Sequence, residues 1–328
     1  MKPLISIVCN TYNHEPYIRD AIEGFLMQKT EYSYEILLYD DASTDKTADI
    51  IREYEKKYPE IIKPIYQTVN QYSKGLRPGH QNRCRATGKY IALCEGDDYW
   101  IDENKLQEQI SYMENHSDCT FCFTNGMVRN GETLSKKVIP WNKLSVIPKG
   151  KSDFNVGEIN MIGYIPTASF IYRRDNSFPD VSSKVFSGDL FVESVMTNYG
   201  YAHFIDKPMV VYRRNVGNSA TAEWSKDASI YAKQCDGFIA LFEFLNEYTN
   251  YKYSDVFKMR ICQWKIEKNY SLVNRKILKE IVKSGEIKYL NLGNLYCRIN
   301  YNIKCRFPIF FKKIKKYYNN NLFLMFFQ

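Results

Sequence analysis

At 328 residues the chain can bury one or two sizeable cores, and its charged and apolar fractions are those of an ordinary globular protein. Its 45 basic and 37 acidic residues leave a net charge of +8, and eight of the basic residues fall in 287–328, where no acidic residue occurs, so the remainder is near neutral and unlike a nucleic-acid-binding fold. Nine scattered cysteines, an odd number, argue against a secreted disulfide framework and read as core thiols of a reducing cytosol.

The N-terminal residues turn polar too soon for a signal peptide, and no apolar window reaches membrane-spanning length. Residues 4–9 read as a buried first strand, followed by a polar loop at 10–14 and a helix over 16–28 with apolar residues at Ile18, Ala21, Ile22, Phe25 and Leu26. A second strand is expected at 34–39, a turn at Asp40-Asp41-Ala42-Ser43-Thr44-Asp45 and a helix at 46–58. A third strand at 61–66, a helix at 78–87 and a fourth strand at 89–94 continue the alternation. Strands and helices that alternate in this way predict a mostly parallel sheet covered on both faces.

The pattern then loosens. A helix is expected at 106–115 and a strand at 120–129, turned by Asn130-Gly131. Cys119 and Cys122 lie in this apolar run, with no second pair to complete a zinc site. Residues 132–157 show no period and read as a loop-rich insertion. A strand follows at 167–173, then a helix at 189–199 with Gly200 as its C-cap, and short strands at 201–205 and 209–212. Helices at 230–248, 254–270 and 274–283 complete the reading. The domain division is 1–221, with halves of about 1–100 and 101–221, followed by a helical region at 222–328.

Glu95-Gly96-Asp97-Asp98 places three carboxylates at the C-terminal end of the fourth strand, the edge where open α/β sheets bind ligands. Alone, such a cluster would serve as well for an acidic turn or helix cap. Asp40-Asp41 ends the second strand and Thr11-Tyr12-Asn13 the first, on the same edge. Together they offer a ring for a base, a carboxylate for an imide N–H, and oxygens for a hard cation such as Mg²⁺ or Mn²⁺ holding a diphosphate. No glycine-rich phosphate loop follows the first strand, which counts against P-loop and dinucleotide-binding readings.

The segments Ser6-Ile7-Val8-Cys9-Asn10-Thr11-Tyr12-Asn13, Tyr39 to Thr47 and Gly88 to Asp98 resemble, in order and spacing, the family 2 glycosyltransferases of GT-A fold. The resemblance covers about 4–220. It implies a nucleotide-sugar donor, a UDP-sugar first, a Mn²⁺ or Mg²⁺ ion and inversion at the anomeric carbon. It assigns Thr11, Tyr12, Asn13 and Glu15 to the nucleotide loop, Asp41 to the uracil, and Glu95 and Gly96 to the family's D-x-D segment. Asp97 and Asp98 become the metal ligands, with Glu95 replacing the usual first aspartate. Lys74 and Arg77 fall near the family's phosphate contacts, and His14 is a further candidate for donor contact.

In the second half, Gly188-Asp189 resembles the family motif whose acidic residue removes the acceptor proton, which makes Asp189 the general base and Glu193 the runner-up, read as a helix-surface charge. Tyr212-Arg213-Arg214-Asn215 resembles a late Tyr-Arg-x-His motif, with Asn215 where a metal-binding histidine would stand. Arg213 or Arg214 could then contact phosphate. His80, His116 and His203 read as structural or surface residues, and Pro166 to Ser169 as acceptor-side packing. The cations and rings of 306–318, followed by the apolar 322–327, suit contact with an anionic inner membrane surface. The expected activity is an inverting transfer from a UDP-sugar to a glycan, polyprenyl-diphosphate-linked, in bacterial capsule or O-antigen (lipopolysaccharide) synthesis. The expected location is cytoplasmic and peripheral on the membrane, with no nucleic-acid partner. The alternatives are a sugar-phosphate nucleotidyltransferase and an inactive glycan- or membrane-binding module.

Overall fold

A computed structural model describes residues 2–138, 150–174, 188–214, 216 and 227–311. The described residues form two compact units: 2–138, 165–174, 199–214 and 216 in the first, and 150–164, 188–198 and 227–311 in the second.

The first unit runs β1 (Ile5–Thr11), α1 (Ile18–Leu26), β2 (Tyr34–Asp40), α2 (Thr47–Lys57), β3 (Ile62–Tyr66), α3 (Pro78–Cys84), β4 (Tyr90–Leu93), β5 (Tyr99–Trp100), α4 (Lys105–Asn115), β6 (Cys119–Asn130), β7 (Thr133–Val138), β8 (Ile171–Arg173) and β9 (Tyr201–Arg214). Its sheet order is β3-β2-β1-β4-β8-β6-β9-β5, with β7 paired to β6. The β1–β2, β2–β3, β1–β4 and β6–β9 pairs are parallel, and the short β8 runs against both of its neighbours. The sheet is therefore mostly parallel, as the alternating pattern predicts. Its inner strands are apolar on both faces: Ile5 through Cys9, except the polar Ser6, and Ile36 through Leu38 are buried core residues. Phe25 of α1 meets Trp100 edge to face at 4.9 Å, and both close the core with Leu106 and Ile110 of α4.

Several local expectations change. Residues 132–157 are not structureless. The Asn130-Gly131 turn closes a hairpin between β6 and β7, and the helix Val156–Ile162 starts at a capping box in which Asn155 and Glu158 bond each other's backbone N–H. Residues 139–149 lie outside the described residues. Gly200 is not a left-handed cap. A Cβ there would lie 2.1 Å from the Asp118 carbonyl oxygen, so glycine is set by close backbone approach. The strand expected at 167–173 begins as a 3₁₀ turn at Thr167–Ser169, held by Trp100 Nε1 donating to the Ala168 carbonyl at 2.8 Å, and the two short strands at 201–212 are one irregular strand, β9.

The second unit is helical: α5 (Val156–Ile162), α6 (Gly188–Asn198), α7 (Ala228–Tyr248), α8 (Ser254–Ser271), α9 (Arg275–Lys283) and α10 (Leu295–Arg306). Met259, Cys262, Ile266, Leu278, Ile281, Leu290 and Cys305 form one of its cores, and the buried Lys304 pairs with Glu267 beside it. Among the described residues no helix is long and apolar enough to cross a membrane. All nine cysteines are free, and eight are buried.

Lys105 carries a burial cost in the first unit. It is fully buried, its Nζ has no hydrogen-bond partner among the described residues, and it lies 4.2 Å from the Trp100 ring centroid. Burial pushes its amine down to about 7, against the pull of Cys94, Cys122 and Asp102. The unfolded chain keeps that proton up to the usual lysine range, so the native state binds fewer protons between the two values and stability rises with pH across that window. Lys105→Met is expected to raise stability at pH 7 by a few kcal/mol and to flatten the rise between about pH 7 and 10. Urea titrations at several pH values measure both effects; an unchanged slope in the variant would show that Lys105 is not its source.

Candidate functional site

The register of the sheet assembles the site. Thr11 pairs with Asp40 at the ends of β1 and β2, and Val8 pairs with Leu93, so the chain leaving β4 runs beside Cys9 to Thr11. The Gly96 N–H donates to the Asn10 carbonyl at 2.9 Å, and the Asn10 amide reaches both Glu95 oxygens at 3.3 and 3.4 Å. A Cβ on Gly96 would lie 2.9 Å from His14 Nδ1 and 3.0 Å from Thr11 Oγ1, so glycine lets the acidic turn close on the first loop.

The first two loops are locked together by side chains from both. The Asn13 N–H donates to Ser43 Oγ at 2.9 Å, and Asn13 Oδ1 accepts from the Thr44 N–H at 2.8 Å. The Glu15 N–H donates to Asp45 at 3.0 Å, and Glu15 accepts from the Lys46 N–H at 3.2 Å. Asn13 and Glu15 are thus engaged in shaping the loop, while Tyr12 is left exposed. Asp40 is buried and accepts from the Ser43 N–H and hydroxyl; burial raises its carboxyl, and the Ser43 bonds oppose that shift. Asp41 accepts the Gln71 N–H at 2.7 Å and the Tyr72 N–H at 3.0 Å, one on each oxygen. It is buried and therefore fixes the loop that carries the exposed Lys74, with lone pairs left over on each oxygen.

The acidic turn is divided. Asp98 is 4% exposed and accepts the Arg213 N–H at 2.8 Å. Burial first and the Asp97 charge second push its carboxyl well above the usual range, against the Arg213 N–H and charge. Asp97 is half-exposed, and among the described residues its carboxylate accepts no hydrogen bond. Arg213 supports the turn. Its guanidinium donates to the Asp97 carbonyl at 2.8 Å, pairs with Asp20, and lies between the rings of Tyr17 and Tyr99, 5.2 and 4.2 Å from their centroids. That guanidinium is engaged within the protein; Arg214, beside it, is half-buried, and Asn215 lies outside the described residues.

Among the described residues no group of three or more His, Cys, Asp or Glu is arranged to enclose a metal ion. The donor set instead fits a hard cation that takes one carboxylate, Asp97, and completes its shell with ligand oxygens and water. Two buried polar atoms, Thr11 Oγ1 and His14 Nδ1, lack hydrogen-bond partners among the described residues and border the turn. Burial also lowers the His14 imidazole, although Asp97 opposes this. Such unsatisfied groups suit a polar ligand. Tyr112 stacks between His116 and His203, at 4.0 and 3.5 Å, so those histidines are structural.

In the second unit Asp189 is half-buried in the first turn of α6, where its Oδ1 accepts the Leu190 N–H at 2.9 Å. Glu193 is not the surface charge expected. It is 3% exposed, because Phe191 through Thr197 are all buried and α6 keeps no polar face there. Burial and then the Asp189 charge push its carboxyl well up, and Arg260 opposes them.

Sequence reasoning missed Tyr17, Asp20 and Tyr99 as partners of Arg213, and Asn82, whose amide bonds the Cys9 and Leu37 carbonyls at 3.1 and 2.9 Å. Tyr17 and Asp20 stand one helical turn apart, a spacing that marks a shared face but names no partner. Arg213→Lys keeps the charge and loses the planar fork and the stacking, so it is expected to cost about 2 kcal/mol, read as a lower urea midpoint. Lys29→Ala, which breaks only the exposed pair with Glu103, should leave the midpoint nearly unchanged. Equal midpoints for both variants would remove the clamp.

The family model described as glycosyl transferase family 2 matches residues 6–177. A Mycobacterium tuberculosis (strain H37Rv) protein, Rv1520, itself uncharacterized, is 35% identical over 215 residues, 64% of this chain and 59% of that protein. The poly(ribitol-phosphate) beta-glucosyltransferase of Bacillus spizizenii is 29% identical over 213 residues, 62% of this chain and 32% of its own length. The chain thus spans less than two thirds of these relatives. In fold, TarS 1–349 of S. aureus, solved with UDP-GlcNAc, aligns over 97% of this chain and 93% of that one, with a TM-score of 0.53 at 16% identity. The order of motifs along β1, β2 and β4, the mostly parallel sheet they end on and the matching family model agree: the chain has a GT-A fold and belongs to glycosyltransferase family 2.

Proposed function

We propose that the protein transfers a sugar from a UDP-sugar to a glycan acceptor with inversion, in the synthesis of a bacterial surface polymer. The observation that carries this reading is the meeting of Thr11, Asp40-Asp41 and Glu95 to Asp98 at one sheet edge. Such an edge can take a base, a ribose and a diphosphate together. Tyr12 offers its exposed ring to the base, and Asp41 an acceptor to the imide. The complex of TarS with UDP-GlcNAc makes that sugar the first donor to test. The name of the Bacillus spizizenii relative points to a polymer of the poly(ribitol-phosphate) kind as acceptor, and a polyprenyl-diphosphate-linked chain at the inner membrane surface is the form we infer.

In this reading Asp97 would hold Mn²⁺ or Mg²⁺, which supplies positive charge to the leaving diphosphate. Arg213 keeps the Asp97 backbone in place, and Asp98 fixes the turn from within. Asp189 takes the proton from the acceptor hydroxyl as it attacks the anomeric carbon opposite the diphosphate. Glu193 lies buried one helical turn from Asp189, and burial first and the Asp189 charge second raise its carboxyl. The test is a pair of measurements on Asp189→Asn with UDP-GlcNAc and Mn²⁺. UDP affinity should stay within about twofold, while transfer should fall by at least about 100-fold. Equal turnover by wild type and variant would take Asp189 out of the mechanism.

A further inference from the structure

We propose that α10 and the turn after it form a docking ridge for an anionic lipid bilayer, an inference that rests on the proposed lipid-linked acceptor. The ridge is apolar and outward-facing. Leu295 and Ile299 are 67% and 50% exposed and stand one helical turn apart, and the exposed Leu292 ends the 3₁₀ turn Glu286–Leu292 that precedes the helix. Beyond the helix, Phe307 and Phe310 are 60% and 61% exposed. The turn that carries them is anchored, since Pro308 is buried and Phe311 meets the Tyr270 ring edge-on at 5.9 Å. The two outward rings are therefore held there by the packing of their neighbours. Large rings and aliphatic chains in water are unfavourable, and a contiguous set of them marks an interaction surface.

Charge decides the partner. The exposed cations Lys288, Arg298 and Arg306 flank the ridge in sequence, and Lys312, Lys313, Lys315 and Lys316 follow it. No acidic residue occurs anywhere in 287–328. Lys304 is excluded from this surface because it is buried on Glu267. A second copy of the chain would bring like charges face to face, and the segment 312–328 carries nothing to neutralise them. An anionic bilayer satisfies both needs, taking the apolar side chains below the headgroups and the cations among them.

Flotation of the full chain with vesicles tests this. Phosphatidylglycerol–phosphatidylcholine vesicles should carry the protein at low salt, and pure phosphatidylcholine vesicles should not. The triple variant Leu295→Ser, Ile299→Ser, Phe310→Ser should lower partitioning about tenfold or more, and Arg298→Glu with Arg306→Glu should lower it and weaken its salt dependence. All five side chains are exposed, so circular dichroism should remain that of the wild type. Wild-type flotation by the triple variant, flotation with neutral vesicles alone, or loss only on deleting 312–328 would each overturn the ridge. Hydrolysis of UDP-GlcNAc without acceptor, measured on the same samples, separates failure of the ridge from failure of the transferase reading.

Discussion

The contact of Arg213 with the acidic turn is the constraint on which the first unit's site depends. Asp98 is a buried carboxylate, and a buried carboxylate needs a donor. That donor is the Arg213 backbone N–H at the end of β9. The guanidinium of the same residue holds the Asp97 carbonyl and is itself held by Asp20, Tyr17 and Tyr99. One arginine thus ties β9, α1 and β5 to the turn after β4. Asp97 is left half-exposed on a backbone that has little freedom, which suits a carboxylate meant for a ligand.

Electrostatic strain is shared out among the neighbours rather than relieved. Asp40, Asp41, Asp45, Glu95, Asp97 and Asp98 all lie on or beside one sheet edge. Most are engaged by N–H donors from adjacent loops: Ser43 on Asp40, Gln71 and Tyr72 on Asp41, Glu15 and Thr47 on Asp45. These bonds build the loops and reduce repulsion within the cluster. The residue left without such a bond, Asp97, is also partly open to solvent, so a cation with a diphosphate would relieve its repulsion with Asp98.

Much of this was legible in the sequence. Continuous apolar runs ending in polar loops revealed β1 to β4, and parallel pairing then required their ends to share an edge. The three motifs on that edge carry the resemblance to the family in sequence alone. What stayed hidden was mostly long-range. No local pattern pairs Arg213 with Asp20, 193 residues away. The burial of Glu193 depends on what packs around α6, which helical spacing does not reveal. Gly200 read as a cap because glycine has two common uses, and only the Asp118 carbonyl distinguishes them. The Asn155–Glu158 capping box, by contrast, was written locally and was passed over among the polar residues of 132–157. The helix α10 was not among the expected helices, and the exposure of its apolar positions could come only from the packed structure.

The central claim is that the edge formed by Thr11, Asp41 and Asp97 binds a nucleoside diphosphate together with a metal ion. Calorimetric titration of UDP, with and without Mn²⁺, into the wild type and Asp97→Ala tests it most directly. The account predicts that Mn²⁺ strengthens UDP binding to the wild type about tenfold or more and has little effect on the variant. UDP affinity that is indifferent to Mn²⁺ in both proteins, or no UDP binding at all, would contradict it.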